Sequence, residues 1–264
     1  MTWIPGEVEK KRAEAMAAAK QNAPAVRPRV EGHLRVQEQA VTTLIEVHNE
    51  IIDGYDALDP EVKDQAAAVW LLAGRCLSLA RSLTIMLRAG LTTDISPAAR
   101  TLHEAGAALR VVADGGDKTF VEKWLSDSYF SAKKLETAEH ELETRIAAEM
   151  LKQGVRPLDR TTPLSKQIYR TWSKIAHNRR SGVLESYSPG LRQMAYGPHP
   201  DPLMRAVWVG YGTQLMVEVV LTVGMALAKF LGPNFWAAKV EPAVNGLNLA
   251  LTRLPLGPED LGYS

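Results

Sequence analysis

Arg170, Ser173, Lys174 and His177 stand at i, i+3, i+4 and i+7 within the stretch Tyr169 to Arg180, so a helix there would carry all four on one face. Arg170 and His177 would lie two turns apart, about 10 Å along the axis, an interval a guanidinium can lean across to share one anion with an imidazole. A phosphate fits between them. Arg179 and Arg180 follow directly, so positive charge gathers at the end of this segment. The chain as a whole is close to neutral, with 31 Lys and Arg against 30 Asp and Glu. A second polar group stands on the helix after Ser96, where Arg100 and Glu104 are at i,i+4 among Leu102, Ala105, Ala108 and Leu109, with Arg110 a turn later. This is either a surface ion pair or a buried one, and a buried pair would need partners such as Ser173 or His177. The structural ion pair is the favoured reading.

Other chemistries are excluded or weakly supported. There is no glycine loop for phosphates, no HExxH metal pair and no nucleophile elbow, and Gly210-Tyr211-Gly212 lacks the preceding strand of a dinucleotide fingerprint. The six histidines, His33, His48, His103, His140, His177 and His199, sit on separate segments. His103 and Glu104 are neighbours in sequence and point about 100° apart on a helix, so no metal is expected and no cofactor is implied. One cysteine, Cys76, excludes an intramolecular disulfide framework and points to a reducing compartment. Trp70, Trp124, Trp172 and Trp208 lie in apolar helical stripes and read as packing; Tyr187 and Tyr196 are better placed to stack on a base.

These residues must be positioned by helices. Apolar residues recur at three- and four-residue spacing almost throughout, without β-type alternation, which predicts an all-α chain. Hydrophobic residues make up 46% and charged residues 23% of 264, enough for one large core. Glu7 to Asn22, rich in Ala, Lys and Glu, is expected to form an exposed helix closed off by Pro24 and Pro28. A second helix is expected from about Arg29 to Tyr55. Asp59-Pro60-Glu61 has the chemistry of a helix N-terminus, opening a third helix that runs to about Arg88 and stops at Ala89-Gly90. Ser96-Pro97 starts the next helix, which ends at Asp114 before Gly115-Gly116. Asp117 to Trp124, Phe130 to Gln153 and Thr162 to His177 also read as helical; Glu136, Glu139 and Glu143 line one solvated face of the middle one. Ser181 to Pro202 reads as a loop. Asp201-Pro202 caps a long apolar helix to about Leu231, Gly232-Pro233 ends it, and Pro242 is expected to break or kink a final helix between Phe235 and Leu254.

That long helix meets the length of a membrane span, but Gln214 and Glu218 stand in its middle and Lys229 near its end, which favours a protein core. Glu218 and Gln214 are expected to satisfy buried groups such as Arg75, Arg81 or Arg88. The N-terminus places charges where a secretory signal needs apolar residues, so the expectation is a soluble cytoplasmic protein that makes no membrane contact. The organisation expected is an N-terminal helical extension over 1–26, one multi-helix bundle over 27–254 and a C-terminal tail over 255–264.

Arginine, several residues, then histidine at a helix end in an all-α domain resembles the motif of the HEPN superfamily, in which four to six residues intervene; Arg170 and His177 enclose six. The order of an arginine and glutamate helix, Pro97 to Glu104, before a tyrosine, serine and histidine helix, Tyr169 to His177, also resembles an uncharacterised bacterial helical family of unknown function. The likeness covers roughly Arg29 to Leu231. The HEPN resemblance implies metal-independent cleavage of RNA by a homodimer, in toxin-antitoxin or phage-defence systems, with an antitoxin-like protein as a partner. It makes His177 the acid and base for the 2′-hydroxyl proton and Arg170 the phosphate clamp. Arg100, Glu104, Ser173, Arg179, Arg180 and Tyr187 would then bind substrate. This sequence differs from the family at Thr171, where a larger amide or acid commonly follows the arginine. Other HEPN proteins are non-catalytic, and the alternative reading is an all-α module that binds a protein or small ligand.

Overall fold

A computed structural model describes residues 6–54, 58–92, 95–114, 121–122 and 202–253, together with Thr144 and the strand residues 187–188 and 193–194. The described chain is all-α in its core. Helix α1 spans Gly6–Gly54, α2 Pro60–Ala89, α3 Ile95–Asp114 and α4 Pro202–Leu231. A turn of helix α5 (Pro233–Phe235) and a π-helical turn (Trp236–Val240) then lead into α6 (Glu241–Arg253). Within the segment read as a loop, β1 (Tyr187–Ser188) and β2 (Gln193–Met194) form a two-residue antiparallel ladder.

Contacts between specific side chains fix the directions. Arg88 reaches Glu38 and His48 reaches Trp70, so α2 runs antiparallel to α1. Gln65, at the start of α2, donates to the carbonyls of Val112 and Ala113 at the end of α3, so α3 turns back along α2. His103 pairs with Glu218 and Asp114 with Lys229, both 115 residues apart, so α3 and α4 run parallel and in register. The bundle closes on a core of small and branched residues. Ala68, Ala73, Ala80 and Ala107 have no exposed surface, which lets the helix axes approach while Leu44, Leu77, Leu109, Met216 and Leu247 fill the layers between.

Local chemistry sets most helix ends. Pro60 and Pro202 occupy first helical positions, where the missing N–H costs nothing. At the end of α2, Gly90 adopts φ 79°, and Leu91 N–H donates to Met86 O while Gly90 N–H donates to Leu87 O, a Schellman cap. Gly232 ends α4 with the same φ and one bond from its N–H to Ala228 O.

The reading of Pro24 and Pro28 is corrected. Pro24 and Pro28 do not close a first helix: α1 is continuous through both. They are four residues apart and exposed, so both rings lie on one solvent-facing side, while Val26 on the opposite side is buried with Ala206. At Pro242 the expected interruption is present: the regular helix gives way to the π-helical turn Trp236–Val240, and α6 starts at Glu241. The turn before it widens, with Glu241 N–H donating to Trp236 O, so the residue is absorbed at the start of α6.

Both α2 and α4 contain windows long and apolar enough to cross a membrane; 44% of the α2 window and 61% of the α4 window is buried within the bundle.

Candidate functional site

Arg170, Ser173, His177, Arg179 and Arg180 lie outside the described residues, as do Trp124, Trp172 and Tyr196. Tyr187 lies in β1, paired in register with Met194. Of the anticipated site, Arg100 and Glu104 are fully described. Arg100 Nε donates to Glu104 Oε1 at 2.8 Å across one turn of α3, and the Glu104 side chain is 52% exposed. This is a surface pair along one helix, the favoured structural reading. An exposed pair of this kind contributes a few tenths of a kcal/mol.

The face of α3 that points inward carries something the sequence did not single out. His103 Nδ1–H donates to Glu218 Oε1 at 2.6 Å, and both side chains are buried between α3 and α4. The expectation that Glu218 meets an arginine of α2 is therefore corrected. Arg88 instead reaches outward to Glu38 at 2.8 Å and Glu31 at 3.7 Å. Arg75 and Arg81 are exposed. The reason is the register. Helix α3 lies parallel to α4 and presents His103 at the level of Glu218, so an imidazole donor reaches the carboxylate that a guanidinium on the outer side of α2 cannot. The signal in the sequence was Glu218 itself, a carboxylate inside an apolar helix, which requires a donor when buried.

Cys76 lies near this pair. Burial pushes its thiol up from 9.0 to about 12, and the negative charge of Glu218 pushes in the same direction, against a smaller opposing effect of Arg75. Cysteine, histidine and carboxylate together have the composition of a thiol hydrolase. Their physical state here is the opposite of what that chemistry needs, because the thiol is held protonated and is 1% exposed. The cluster clamps α3 to α4 from within.

The remaining described histidines are also occupied by the fold. Thr213 Oγ1 donates to Val209 O, which leaves that oxygen to accept from Gln37 Nε2 at 2.8 Å and from His33 Nδ1–H at 2.7 Å, tying α1 to α4. His48 Nε2–H donates to Trp70 O at 2.8 Å, Trp70 Nε1 returns a bond to His48 O at 3.2 Å, and the rings stack at 5.0 Å. Trp70 and Trp208 pack as expected, the latter buried and edge-on to Tyr211.

A cleft of 470 Å³ opens where α3 and α4 end, lined by Arg110, Asp114, Thr222, Met225, Lys229 and Trp236 among others. Its charges are met within the fold. Arg110 lies 3.5 Å from Asp114, Lys229 lies 3.0 Å from the same carboxylate, and Lys229 also donates to Ala113 O at 2.7 Å. Among the described residues, no group of three His, Cys, Asp or Glu side chains is arranged to hold a metal ion.

Residues 66–196 match DUF5677, a family of unknown function. The DUF5677 match begins within α2, takes in α3, Arg100 and Glu104, and extends over Arg170, Ser173, His177, Arg179, Arg180 and Tyr187. Glu218 and the whole of α4 fall beyond it, so the buried clamp joins a helix within the matched span to a helix outside it. No curated protein and no solved structure matches the chain.

Proposed function

We propose that this chain is a HEPN-like, metal-independent endoribonuclease acting as a toxin-like or phage-defence effector in the cytoplasm, as a homodimer held in check by an antitoxin-like partner. The observation that supports this reading is the use made of the histidines. His33, His48 and His103 are buried and engaged in joining helices, which leaves His140, His177 and His199 for chemistry on a dissolved substrate. Of these, His177 alone follows an arginine at helical spacing in a segment with helical periodicity. It also falls within the DUF5677 span.

In the proposed reaction His177 takes the proton from a ribose 2′-hydroxyl, and the 2′-oxygen attacks the adjacent phosphorus. The bond to the 5′-oxygen breaks, and that oxygen leaves with a proton returned by the imidazolium. Arg170 stabilises the charge that builds on the phosphoryl oxygens. Ser173, Arg179, Arg180 and Tyr187 hold the strand, with Arg100 and Glu104 assigned to the rim of the substrate path. The products are a 2′,3′-cyclic phosphate and a free 5′-hydroxyl. Induced expression is expected to slow growth of the host, and His177→Ala to relieve it; equal toxicity of mutant and wild type would remove the nuclease reading.

A further inference from the structure

We infer that the outward face of α2 is one half of a helix-to-helix interface whose other half is an acidic amphipathic helix of a different protein. Ile85 is 60% and Leu71 48% exposed, the two most exposed large apolar side chains among the described residues. They are not scattered. Leu71, Ser78 and Ile85 recur every seven residues, all exposed, and so line one seam along about 21 Å of helix. Ser82 continues the exposed stripe, and its hydroxyl bonds back to Ser78 O on the same helix. Serine at the centre lets a second helix approach closely, with the larger Leu71 and Ile85 at either end to bury.

The charge beside the seam selects the partner. At about 100° per residue, Arg75 and Arg81 lie on opposite sides of the stripe, roughly 120° apart. Both are exposed. Among the described residues no carboxylate lies within ion-pair distance of either, whereas Arg88, Arg100, Arg110 and Lys229 each have one. Between Gln65 and Ala89 the helix carries three arginines and no Asp or Glu. Flanking positions of this kind set partner choice in paired helices. A second copy meeting this seam with its own would bring arginine against arginine, and the phosphates of RNA would find apolar side chains at both ends of the stripe. A helix with apolar residues at seven-residue recurrence and carboxylates on both flanks satisfies the whole face. This inference stands apart from the ribonuclease reading and survives its failure.

The test places the photo-crosslinking residue p-benzoylphenylalanine at position 78 of the full chain, expressed in the organism that encodes it. Irradiation is expected to give one adduct to a different protein. Sequencing of the adduct should locate the link in a segment with the apolar repeat and flanking acids described. That segment, made as a peptide, should bind the purified full chain. Arg75→Glu with Arg81→Glu should weaken binding at least tenfold, Arg75→Gln with Arg81→Gln should weaken it less, and a peptide with its acids changed to lysine should restore binding to the double Glu variant. Both arginines are exposed, so the variants should melt with the wild type. The inference is overturned if no adduct forms, if the link falls within this chain, such as the segment bearing Glu136, Glu139 and Glu143, if the adduct is to a second copy, to RNA or to lipid, or if the peptide binds the double Glu variant as well as the wild type.

Discussion

Removing the Glu218 carboxylate tests whether the buried pair clamps α3 to α4. In Glu218→Ala the His103 Nδ1–H loses the acceptor it holds at 2.6 Å, and the site is too enclosed for solvent to replace it freely, with Glu218 5% and His103 9% exposed. Deleting the acceptor leaves a buried imidazole N–H unsatisfied and a cavity beside it, together worth about 3–5 kcal/mol. In a chain of this size each kcal/mol moves the melting temperature by roughly 2–4 °C, so a fall of about 6–20 °C is expected. Glu218→Gln keeps an oxygen acceptor and loses only the charge-assisted part, for a cost of about 1–2 kcal/mol. His103→Ala should cost a similar amount to Glu218→Ala, and the double Ala variant much less than the sum, with a coupling of about 1–3 kcal/mol in a double-mutant cycle read by urea unfolding. A coupling below about 0.5 kcal/mol, with Glu218→Ala melting within 2 °C of wild type, would refute the clamp.

Four further perturbations follow from packing and titration. A methyl group built at Gly224 would lie 2.5 Å from Val240 Cγ1 and 2.8 Å from Cγ2, whereas one at Gly246 would lie at an ordinary 3.6 Å from Val36 Cγ1. Gly224→Ala should therefore destabilise by about 1–3 kcal/mol, and Gly246→Ala should stabilise by about 0.5–1 kcal/mol through helix propensity; chemical denaturation of the two variants checks the opposite signs. Gly90 holds φ 79° with the Arg205 guanidinium 2.7 Å from where a Cβ would stand, so Gly90→Ala should lower stability by about 1–2 kcal/mol, measured by thermal melting. For Cys76 the folded thiol titrates near 12 and the unfolded one near 9.0, so its neutral form favours the fold. That contribution is fully present below pH 9, falls as pH rises toward 12, and amounts to about 4 kcal/mol at most. A thiol reagent at pH 8 should label the unfolded chain quickly and the native chain only at the rate of opening; fast labelling of native protein would contradict the burial.

The helix ends that local chemistry sets were legible in the sequence. Pro60, Gly90, Pro202 and Gly232 each carry their own backbone constraint, and each marks a boundary or its cap. Pro24 and Pro28 do not end α1 because their cost is local while the packing that offsets it is distant, whereas Pro242 does mark an interruption. Val26 meets Ala206 across the bundle, and the widened turn ahead of Pro242 accompanies the close approach of Val240 to Gly224. The same distinction governs the candidate site. The Arg100 and Glu104 pair is a matter of one helical turn and was readable from spacing. The His103 and Glu218 pair depends on the parallel register of two helices separated by 115 residues, which no local spacing encodes. Glu218 was visible as a polar residue requiring a partner, but its assignment to an arginine of α2 lacked the geometry that brings α3 to that place. Cys76, which as a lone cysteine only excludes a disulfide framework, gains its meaning from being enclosed beside that carboxylate.

The proposed activity is tested most directly by incubating purified full-length protein with total RNA in excess chelator and identifying the ends of any fragments. Wild type should generate fragments bearing 2′,3′-cyclic phosphates and 5′-hydroxyls, and His177→Ala and Arg170→Ala should each abolish them while melting as wild type does. Intact RNA with the wild-type protein, or cleavage that persists unchanged in His177→Ala, would contradict the assignment.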